Sequence, residues 1–163
     1  MLNPASPLAR LMAVPVRPGT VAWIGVRPAR HGAMIVPPSA QLIAGQGVEG
    51  DRYRTRTNGG RQVTLIEAEG LAAIASYLGR SEVSPEALRR NIVTRGINLL
   101  ALKEKTFRIG EALLAYSGEC HPCSQMETLL EPGGYNAVRG HGGITARVLE
   151  GGTVVVGDVV SVA

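Results

Sequence analysis

The chain has 163 residues, of which 45% are hydrophobic, and a formal net charge of +4. This length suits one domain around one sizeable core, and the apolar fraction excludes wholesale disorder. Aromatic residues make up only 4% of the chain, so we expect no nucleic-acid partner, since proteins that stack nucleobases present aromatic platforms. No apolar run approaches the ~18 residues that cross a bilayer, so we expect no membrane segment.

The chain has two cysteines, Cys120 and Cys123, which are too few for a disulfide framework. Residues 1–16 lack the basic start, the long hydrophobic run and the cleavage site of a secretory signal. We therefore expect a reduced, cytoplasmic setting for the protein.

Glycine (21) and proline (10) are spread along the whole chain, which favours short strands joined by tight turns. The residue pattern predicts strands at 21–26, 41–43 and 62–66, an extended segment at 91–94, and further strands at 106–109, 112–116, 146–149, 153–156 and 159–162. Two of these pairs flank Gly110 and the Gly151-Gly152 pair, where we expect a hairpin or a tight corner. Together, these short strands and glycine turns predict a small closed or curled β-barrel with one or two helices.

The clearest helix is predicted over residues 67–78, where apolar side chains recur on one face and Gly79 ends the pattern. A second, short helix is predicted to begin at Ser84, whose hydroxyl caps it, with Pro85 at the first helical position.

The strongest local feature is the run Cys120-His121-Pro122-Cys123. A thioredoxin-like redox pair is one interpretation, but such pairs open a helix in a βαβ unit, and this run lies in an antiparallel β region. A zinc site with His121 and His141 would need an unusual ligand spacing. A third interpretation is a single reactive cysteine, acting as a soft thiolate ligand or as a sulfur acceptor. The remaining one is a pair of inert core thiols.

Arginines outnumber lysines strongly, and Arg52, Arg54, Arg56 and Arg61 fall within ten residues. Arginine forms bidentate contacts with phosphate, although a solvated face is the alternative for each of them. The segment 89–93 lies at a predicted helix–strand junction, where its polar side chains could hold a phosphate or simply end a helix.

Glycine-rich stretches at 47–52 and 134–143 allow a ligand to approach the backbone, or form ordinary turns. In their order along the chain, these segments resemble the MOSC family, named for the C-terminal domain of molybdenum cofactor sulfurases. The resemblance covers residues 20–162. It rests on GVEGDRY (47–53), RQV (61–63), RRNIV (89–93), FRIG (107–110), CHPC (120–123), GHGG (140–143), ARVLEGG (146–152) and GD (157–158).

The resemblance implies a mainly β fold, a MOSC-type β-barrel with a few short helices, and one domain over residues 1–163. It also implies binding of molybdenum cofactor, a pterin that holds molybdenum through a dithiolene and carries a phosphate. Cys123 maps to the reactive cysteine and molybdenum ligand, and Cys120 ranks second. The cofactor-binding residues implied are Asp51, Arg52, Arg61, Arg89, Asn91 and Gly143, with Arg90 at a variable position.

The family implies two functional classes for Cys123. It is a metal ligand in oxidoreductases that reduce N-hydroxylated compounds, or it carries a persulfide in sulfuration of the cofactor. A non-catalytic cofactor-binding module is the third possibility. An external electron donor or sulfur donor would be a partner, and His121 or His141 would shuttle protons. Pyridoxal phosphate is not expected, because Lys103 and Lys105 lie in an unremarkable turn.

Overall fold

The computed structural model describes residues 2–53 and 55–163. Met1 and Arg54, one of the four crowded arginines, lie outside the described residues. The strands are β1 (Gly19–Ile24), β2 (Ser39–Ile43), β3 (Gly47–Val48), β4 (Val63–Glu67), β5 (Ile92–Arg95), β6 (Thr106–Ile109), β7 (Ala112–Glu119), β8 (Ile144–Glu150), β9 (Gly152–Val155) and β10 (Val159–Val162). The helices are α1 (Pro7–Met12), α2 (Ala68–Tyr77), α3 (Pro85–Leu88), α4 (Gln125–Leu129) and α5 (Gly134–Val138), with a 3-10 turn at Leu99–Leu102.

The main sheet is a closed barrel with the strand order β1-β10-β6-β7-β8-β4-β5, in which β5 pairs back with β1. β4 and β5 run parallel, and the other neighbours in the barrel are antiparallel. A parallel pair needs a long crossover connection, which α2 and α3 supply here. The fold is therefore mainly β, as predicted, with a barrel and a few short helices.

A smaller sheet of order β3-β2-β9 lies beside the barrel. The hairpin expected at Gly110 is present, since β6 and β7 pair with each other. The segments around Gly151 and Gly152 form a corner, the other arrangement predicted, because β8 pairs within the barrel and β9 pairs with β2. A Cβ atom at Gly151 would lie 2.6 Å from the carbonyl oxygen of Leu42, so the close crossing of these strands requires glycine there.

Two hydrophobic cores explain the burial pattern. One fills the barrel and includes Phe107 and Leu114, and the other lies between the barrel wall and α2–α5 and includes Ile66 and Ile74. The residues Val63–Ile66 are consecutively buried, because β4 contacts the barrel core on one face and the helices on the other.

The predicted helices at 67–78 and at Ser84 are confirmed as α2 and α3, and the Ser84 hydroxyl accepts from the backbone N–H of Glu86 at 3.2 Å. The sequence did not predict α1, α4 or α5. Helices this short depend on tertiary contacts more than on propensity: the Glu127 carboxylate accepts from the N–H groups of Gly133 and Tyr135 and so fixes the start of α5. None of the described helices is both long and apolar enough to cross a membrane.

Candidate functional site

A buried ion pair joins the segment after β1 to the loop after β3. Arg27 Nη2 lies 2.7 Å from Asp51 Oδ2, and Arg27 Nε lies 3.1 Å from Asp51 Oδ1, so the contact is bidentate. The backbone N–H of Arg27 donates to the same Oδ1 at 2.7 Å. Burial alone would raise the pKa of Asp51, but the hydrogen bonds and the positive charge of Arg27 outweigh it and hold that pKa below its ordinary value. The carboxylate stays charged and fixes Arg27 in place.

Asn91 completes this network from the residue before β5. Its Nδ2 donates to Asp51 Oδ1 at 3.2 Å and to the carbonyl of Gly25 at 3.1 Å. Its Oδ1 accepts from the backbone N–H and from the hydroxyl of Thr64, each at 3.1 Å. The Asn91 side chain is fully buried. Asp51 and Asn91 therefore lie behind Arg27 in a closed network of hydrogen bonds.

Five arginines are coupled electrostatically to one another around this network and are called the arginine face: Arg27, Arg52, Arg61, Arg89 and Arg90. Burial lowers the pKa of Arg89, and the neighbouring charges of Arg27 and Arg52 lower it further. Within the described parts of the chain, the pair with Asp51 is the one ion pair that any of the five makes. Clustered cations with so little compensation create a positive potential that attracts anions.

The members of the arginine face differ in how firmly the chain holds them. Arg89 donates from Nη1 to the carbonyl of Gly32 at 2.7 Å and from Nη2 to the carbonyl of Ala29 at 3.1 Å. Arg52 and Arg61 are exposed, and no carboxylate of the described residues pairs with either. Arg52 and Arg61 therefore have guanidinium donors left for a ligand.

Arg90 links the arginine face to the glycine-rich segment before β8. The side chain is only 7% exposed, and it donates from Nε to the carbonyl of Gly142 at 3.0 Å and from Nη1 to the carbonyl of Leu88 at 2.7 Å. Burial is the main cause that lowers the pKa of Arg90, the thiols of Cys120 and Cys123 oppose that shift, and the charges of neighbouring arginines add to it. Both thiols are therefore within electrostatic range of Arg90.

The thiol loop, residues 120–123, connects β7 to α4. Cys120 is 2% exposed; its N–H donates to the carbonyl of Gly143 at 2.8 Å, and its Sγ lies 3.7 Å from Arg61 Nη2. Cys123 is exposed, and its carbonyl accepts the N–H of Met126 at 3.0 Å, which begins α4. The loop thus buries one thiol and presents the other to solvent beside the arginines.

A cavity of about 530 Å³ borders the thiol loop. Its lining includes Cys120 and His121 from the loop, together with His141, whose ring centroid lies 5.4 Å from that of Tyr77. Over residues 2–53 and 55–163, no group of three or more His, Cys, Asp or Glu side chains could hold a metal ion. The four side chains considered for a zinc site are therefore not gathered into one.

Comparison with known proteins identifies the family. A model of the MOSC domain matches residues 52–161. The chain belongs to the MOSC domain family. This family is associated with binding of molybdenum cofactor. No curated protein matches the sequence.

Several solved structures share the MOSC fold of this chain. The YuaD protein of Bacillus subtilis superposes with a TM-score of 0.78 at 22% identity, covering 90% of this chain and 96% of its own. YiiM of Escherichia coli superposes with a TM-score of 0.67 at 18% identity, covering 88% of this chain and 69% of its own. YiiM of Geobacillus stearothermophilus superposes with a TM-score of 0.64 at 15% identity, covering 89% of this chain and 75% of its own. At these identities the likeness establishes the fold.

Within the MOSC barrel, the structure brings together most of the residues that the sequence singled out. Arg52, Arg61 and Arg89 belong to the arginine face, and Cys123 lies beside it. Asp51 and Asn91 are buried behind Arg27, a residue that sequence reasoning missed because nothing in Arg27-Pro28 distinguishes it from a turn. Gly143 instead borders the cavity, where its carbonyl holds Cys120.

Proposed function

We propose that the arginine face binds the phosphate of molybdenum cofactor and that Cys123 supplies the thiolate ligand to its metal, in an oxidoreductase that reduces N-hydroxylated compounds. The observation that carries this proposal is the convergence of five arginines beside one exposed thiol. Planar guanidiniums match phosphate through paired charge-assisted hydrogen bonds. A thiolate is a ligand for soft, thiophilic metals.

The side chains present fit the proposed cofactor. Arg52 and Arg61 are exposed and have donors left for a phosphate, whereas Arg27, Arg89 and Arg90 are held by the chain and maintain the positive potential. Cys123 would be the protein's single ligand, since a dithiolene supplies the other sulfur donors. When bound, the cofactor supplies a metal centre that exchanges electrons with an N–O group.

The chain's own contribution is to bind and to orient. Asp51 and Asn91 fix Arg27 from behind, so their part in cofactor binding is positioning and not contact. The N–H of Cys120 bonded to Gly143 anchors the start of the thiol loop, and the turn into α4 anchors its end. Reduction of an N-hydroxyl group to an amine and water consumes two electrons and two protons. An external electron donor is needed for the electrons, and His121 and His141, which line the adjacent cavity, are candidates to deliver protons.

The first test is the molybdenum and pterin content of protein expressed in a cofactor-competent host. We expect near-stoichiometric metal and pterin in the wild type, loss of metal in Cys123→Ser, and loss of both in Arg52→Ala combined with Arg61→Ala. Arg17→Ala is the matched control, because Arg17 is also exposed but precedes β1, at the end opposite Arg27. If the wild type contains no pterin, even after incubation with free cofactor, the proposal is refuted.

Sulfur transfer to the cofactor is the second candidate, favoured by the exposure of Cys123. A persulfide must be accessible to both the donor and the acceptor of sulfur. Incubation with a cysteine desulfurase and cysteine, followed by mass spectrometry, would add one sulfur atom to Cys123 and none to Cys120. Turnover of an N-hydroxylated substrate with a chemical reductant supports the oxidoreductase. A protein that binds cofactor but shows neither property is a binding module.

A further inference from the structure

The thiol loop carries a second cysteine to which the proposed cofactor site gives no role. Cys123 is exposed, whereas Cys120, three residues earlier, is 2% exposed and lines the cavity that borders the loop. Three residues of fully extended chain span at most about 11 Å, so the Cα atoms of this pair cannot separate further than that. Both thiols also lie within electrostatic range of one guanidinium, that of Arg90. The pair is therefore available for chemistry that needs two sulfur atoms.

Cys120 is the fixed member of the pair. Its N–H donates to the carbonyl of Gly143 at 2.8 Å, and a Cβ added at Gly142 would overlap the Cys120 carbonyl oxygen. Its backbone is thus packed against the segment before β8. Arg61 Nη2 donates to Cys120 Sγ at 3.7 Å, and a cationic donor stabilises the negative charge that a sulfur carries when it attacks. The buried sulfur is therefore held in place and assisted by a cation.

The rest of the thiol loop is held loosely. His121 and Cys123 are exposed, and Pro122 has no N–H to donate. Over residues 121–123, the one hydrogen bond to the described chain joins the carbonyl of Cys123 to the N–H of Met126 at 3.0 Å. Few contacts therefore resist a movement of Cys123 toward Cys120.

This arrangement differs from the redox pair of a thioredoxin. The preceding strand β7 is antiparallel to both of its neighbours, β6 and β8, so the loop does not belong to a βαβ unit. An accessible cysteine beside a second, resolving cysteine is instead typical of a redox sensor, in which the oxidant reaches the accessible sulfur first. Cys123 has the exposure of the first residue, and Cys120 has the position of the second.

From this juxtaposition we infer that Cys123 and Cys120 form a reversible intramolecular disulfide when a hydroperoxide oxidises Cys123. In the first step the Cys123 sulfur attacks the peroxide: an S–O bond forms, the O–O bond breaks, and the peroxide, reduced by two electrons, leaves as water or an alcohol. In the second step the Cys120 sulfur attacks the sulfenic acid: the S–S bond forms, the S–O bond breaks, and the hydroxyl leaves with the Cys120 proton as water. Thiol exchange with a dithiol reductant restores both cysteines.

Closing the disulfide changes the position of the exposed sulfur. A disulfide requires Cα atoms about 4.4–6.8 Å apart and Cβ atoms directed toward each other. Because the Cys120 backbone is packed against residues 142–143, Cys123 is the residue that moves, away from solvent and toward the cavity wall. The oxidised loop therefore withdraws Cys123 as a ligand or sulfur carrier. That consequence rests on the proposed function, whereas the disulfide itself requires no molybdenum.

The test uses reduced, purified full-length protein and a small excess of hydrogen peroxide. The remaining thiols are then trapped with N-ethylmaleimide in denaturant, and the products are identified by mass spectrometry. We expect a monomer that has lost two hydrogen atoms and carries no maleimide. Dithiothreitol should restore two maleimide-reactive thiols.

Variants separate the two steps. Cys120→Ala should leave Cys123 as a sulfenic acid that dimedone traps, and Cys120→Ser should give the same product if the buried site tolerates alanine poorly. Cys123→Ser should slow thiol oxidation at least about tenfold, because the thiol that remains is buried. Arg61→Gln should slow closure of the disulfide, whereas Arg17→Gln, at an exposed position before β1, should match the wild type.

Three results would overturn the inference: sulfinic acid on Cys123 beside an unmodified Cys120, a disulfide that links two copies of the chain, or unchanged thiol oxidation in Cys123→Ser. The cofactor measurement separates the two proposals. Protein that contains molybdenum and pterin but forms no internal disulfide would refute the redox pair and leave the proposed function. Disulfide formation in protein that takes up no cofactor would do the reverse.

Discussion

Arg27 and Asp51 are joined by two side-chain hydrogen bonds of 3.1 and 2.7 Å, with the carboxylate only 1% exposed. A buried pair of this kind is expensive to desolvate and is weak evidence for stability by itself. Its location explains its presence: the pair lies within a group of five like-charged side chains that repel one another. Asp51 reduces that repulsion and fixes the central arginine, leaving a preorganised positive surface for an anion.

We predict that Asp51→Asn lowers the free energy of unfolding by about 3 kcal/mol at pH 7, because it leaves the partly buried Arg27 charge uncompensated. The pKa of Asp51 is lowered in the folded protein, so its contribution is fully present above the unfolded value of about 3.9 and is lost as pH falls through the folded pKa. Urea unfolding at pH 7 and at successively lower pH, from about 3.9 to below the folded pKa of Asp51, would measure this.

The wild type and Asp51→Asn should therefore approach each other in stability under acid conditions. Glu82→Gln, at an exposed position, should match the wild type at both pH values. A difference between wild type and Asp51→Asn that is the same at pH 7 and in acid would show that the Asp51 charge does not stabilise the fold.

The two thiols should differ strongly in reactivity. Cys123 is exposed and Cys120 is buried against Arg61, and alkylation requires access to the sulfur. In native protein, iodoacetamide should modify one cysteine rapidly, and that modification should disappear in Cys123→Ser and persist in Cys120→Ser. Peptide mass spectrometry identifies the site. Equal labelling of both residues without denaturant would contradict the burial of Cys120.

Sequence periodicity was sufficient for most of the fold. Alternating or continuous apolar runs predicted strands such as β4 and β6, and the apolar face of α2 was readable because a buried helix stripe has its own period. Periodicity could not predict that the chain forms a corner at Gly151-Gly152. A glycine pair between two strands is compatible both with a hairpin and with a change of sheet. The difference depends on the partner strand β2, about a hundred residues earlier in the chain.

The site was predictable in composition but not in arrangement. Arg52, Arg61, Arg89 and Cys123 were identified from motifs, whereas Arg27 was missed. The roles of Asp51 and Asn91 depend on burial, because both lie behind Arg27. The cavity beside the thiol loop has no motif at all, because residues far apart in sequence, such as Glu67 and Glu119, line it together only in the folded chain.

Gly143→Ala should destabilise the protein strongly, whatever its effect on a ligand. The backbone of Gly143 has a φ of 84°, and a Cβ there would lie 1.9 Å from the carbonyl oxygen of Leu65 in β4. The combined strain and overlap should cost about 3 kcal/mol or more. Gly140→Ala is the control: its φ is 79°, but a Cβ would meet nothing within 4 Å.

Gly140→Ala should therefore show only the backbone cost of a left-handed conformation, about 1 kcal/mol. Thermal and urea unfolding of both variants would measure the difference. Equal losses in the two variants would mean that the segment before β8 moves away from β4 at little cost, and that Gly143 is required for its φ angle alone.

Thr94 in β5 and Thr64 in β4 are both buried threonines, but their hydroxyl groups differ in hydrogen bonding. The Thr64 hydroxyl accepts from the N–H of Asn91 at 3.0 Å and donates to its Oδ1 at 3.1 Å. The Thr94 hydroxyl is fully buried and has no hydrogen-bond partner among the residues that the structure describes. An unsatisfied buried hydroxyl costs about 1–3 kcal/mol, whereas a satisfied one contributes about 1 kcal/mol.

Thr94→Val should accordingly raise the free energy of unfolding by about 1 kcal/mol, because valine fills the same space without an unpaired oxygen. Thr64→Val should lower it by about the same amount, because the network that holds Asn91 loses two hydrogen bonds. Urea unfolding with an unchanged m-value would measure both. A loss in Thr94→Val as large as that in Thr64→Val would show that the Thr94 hydroxyl is hydrogen-bonded in solution and contributes to the cohesion of β5.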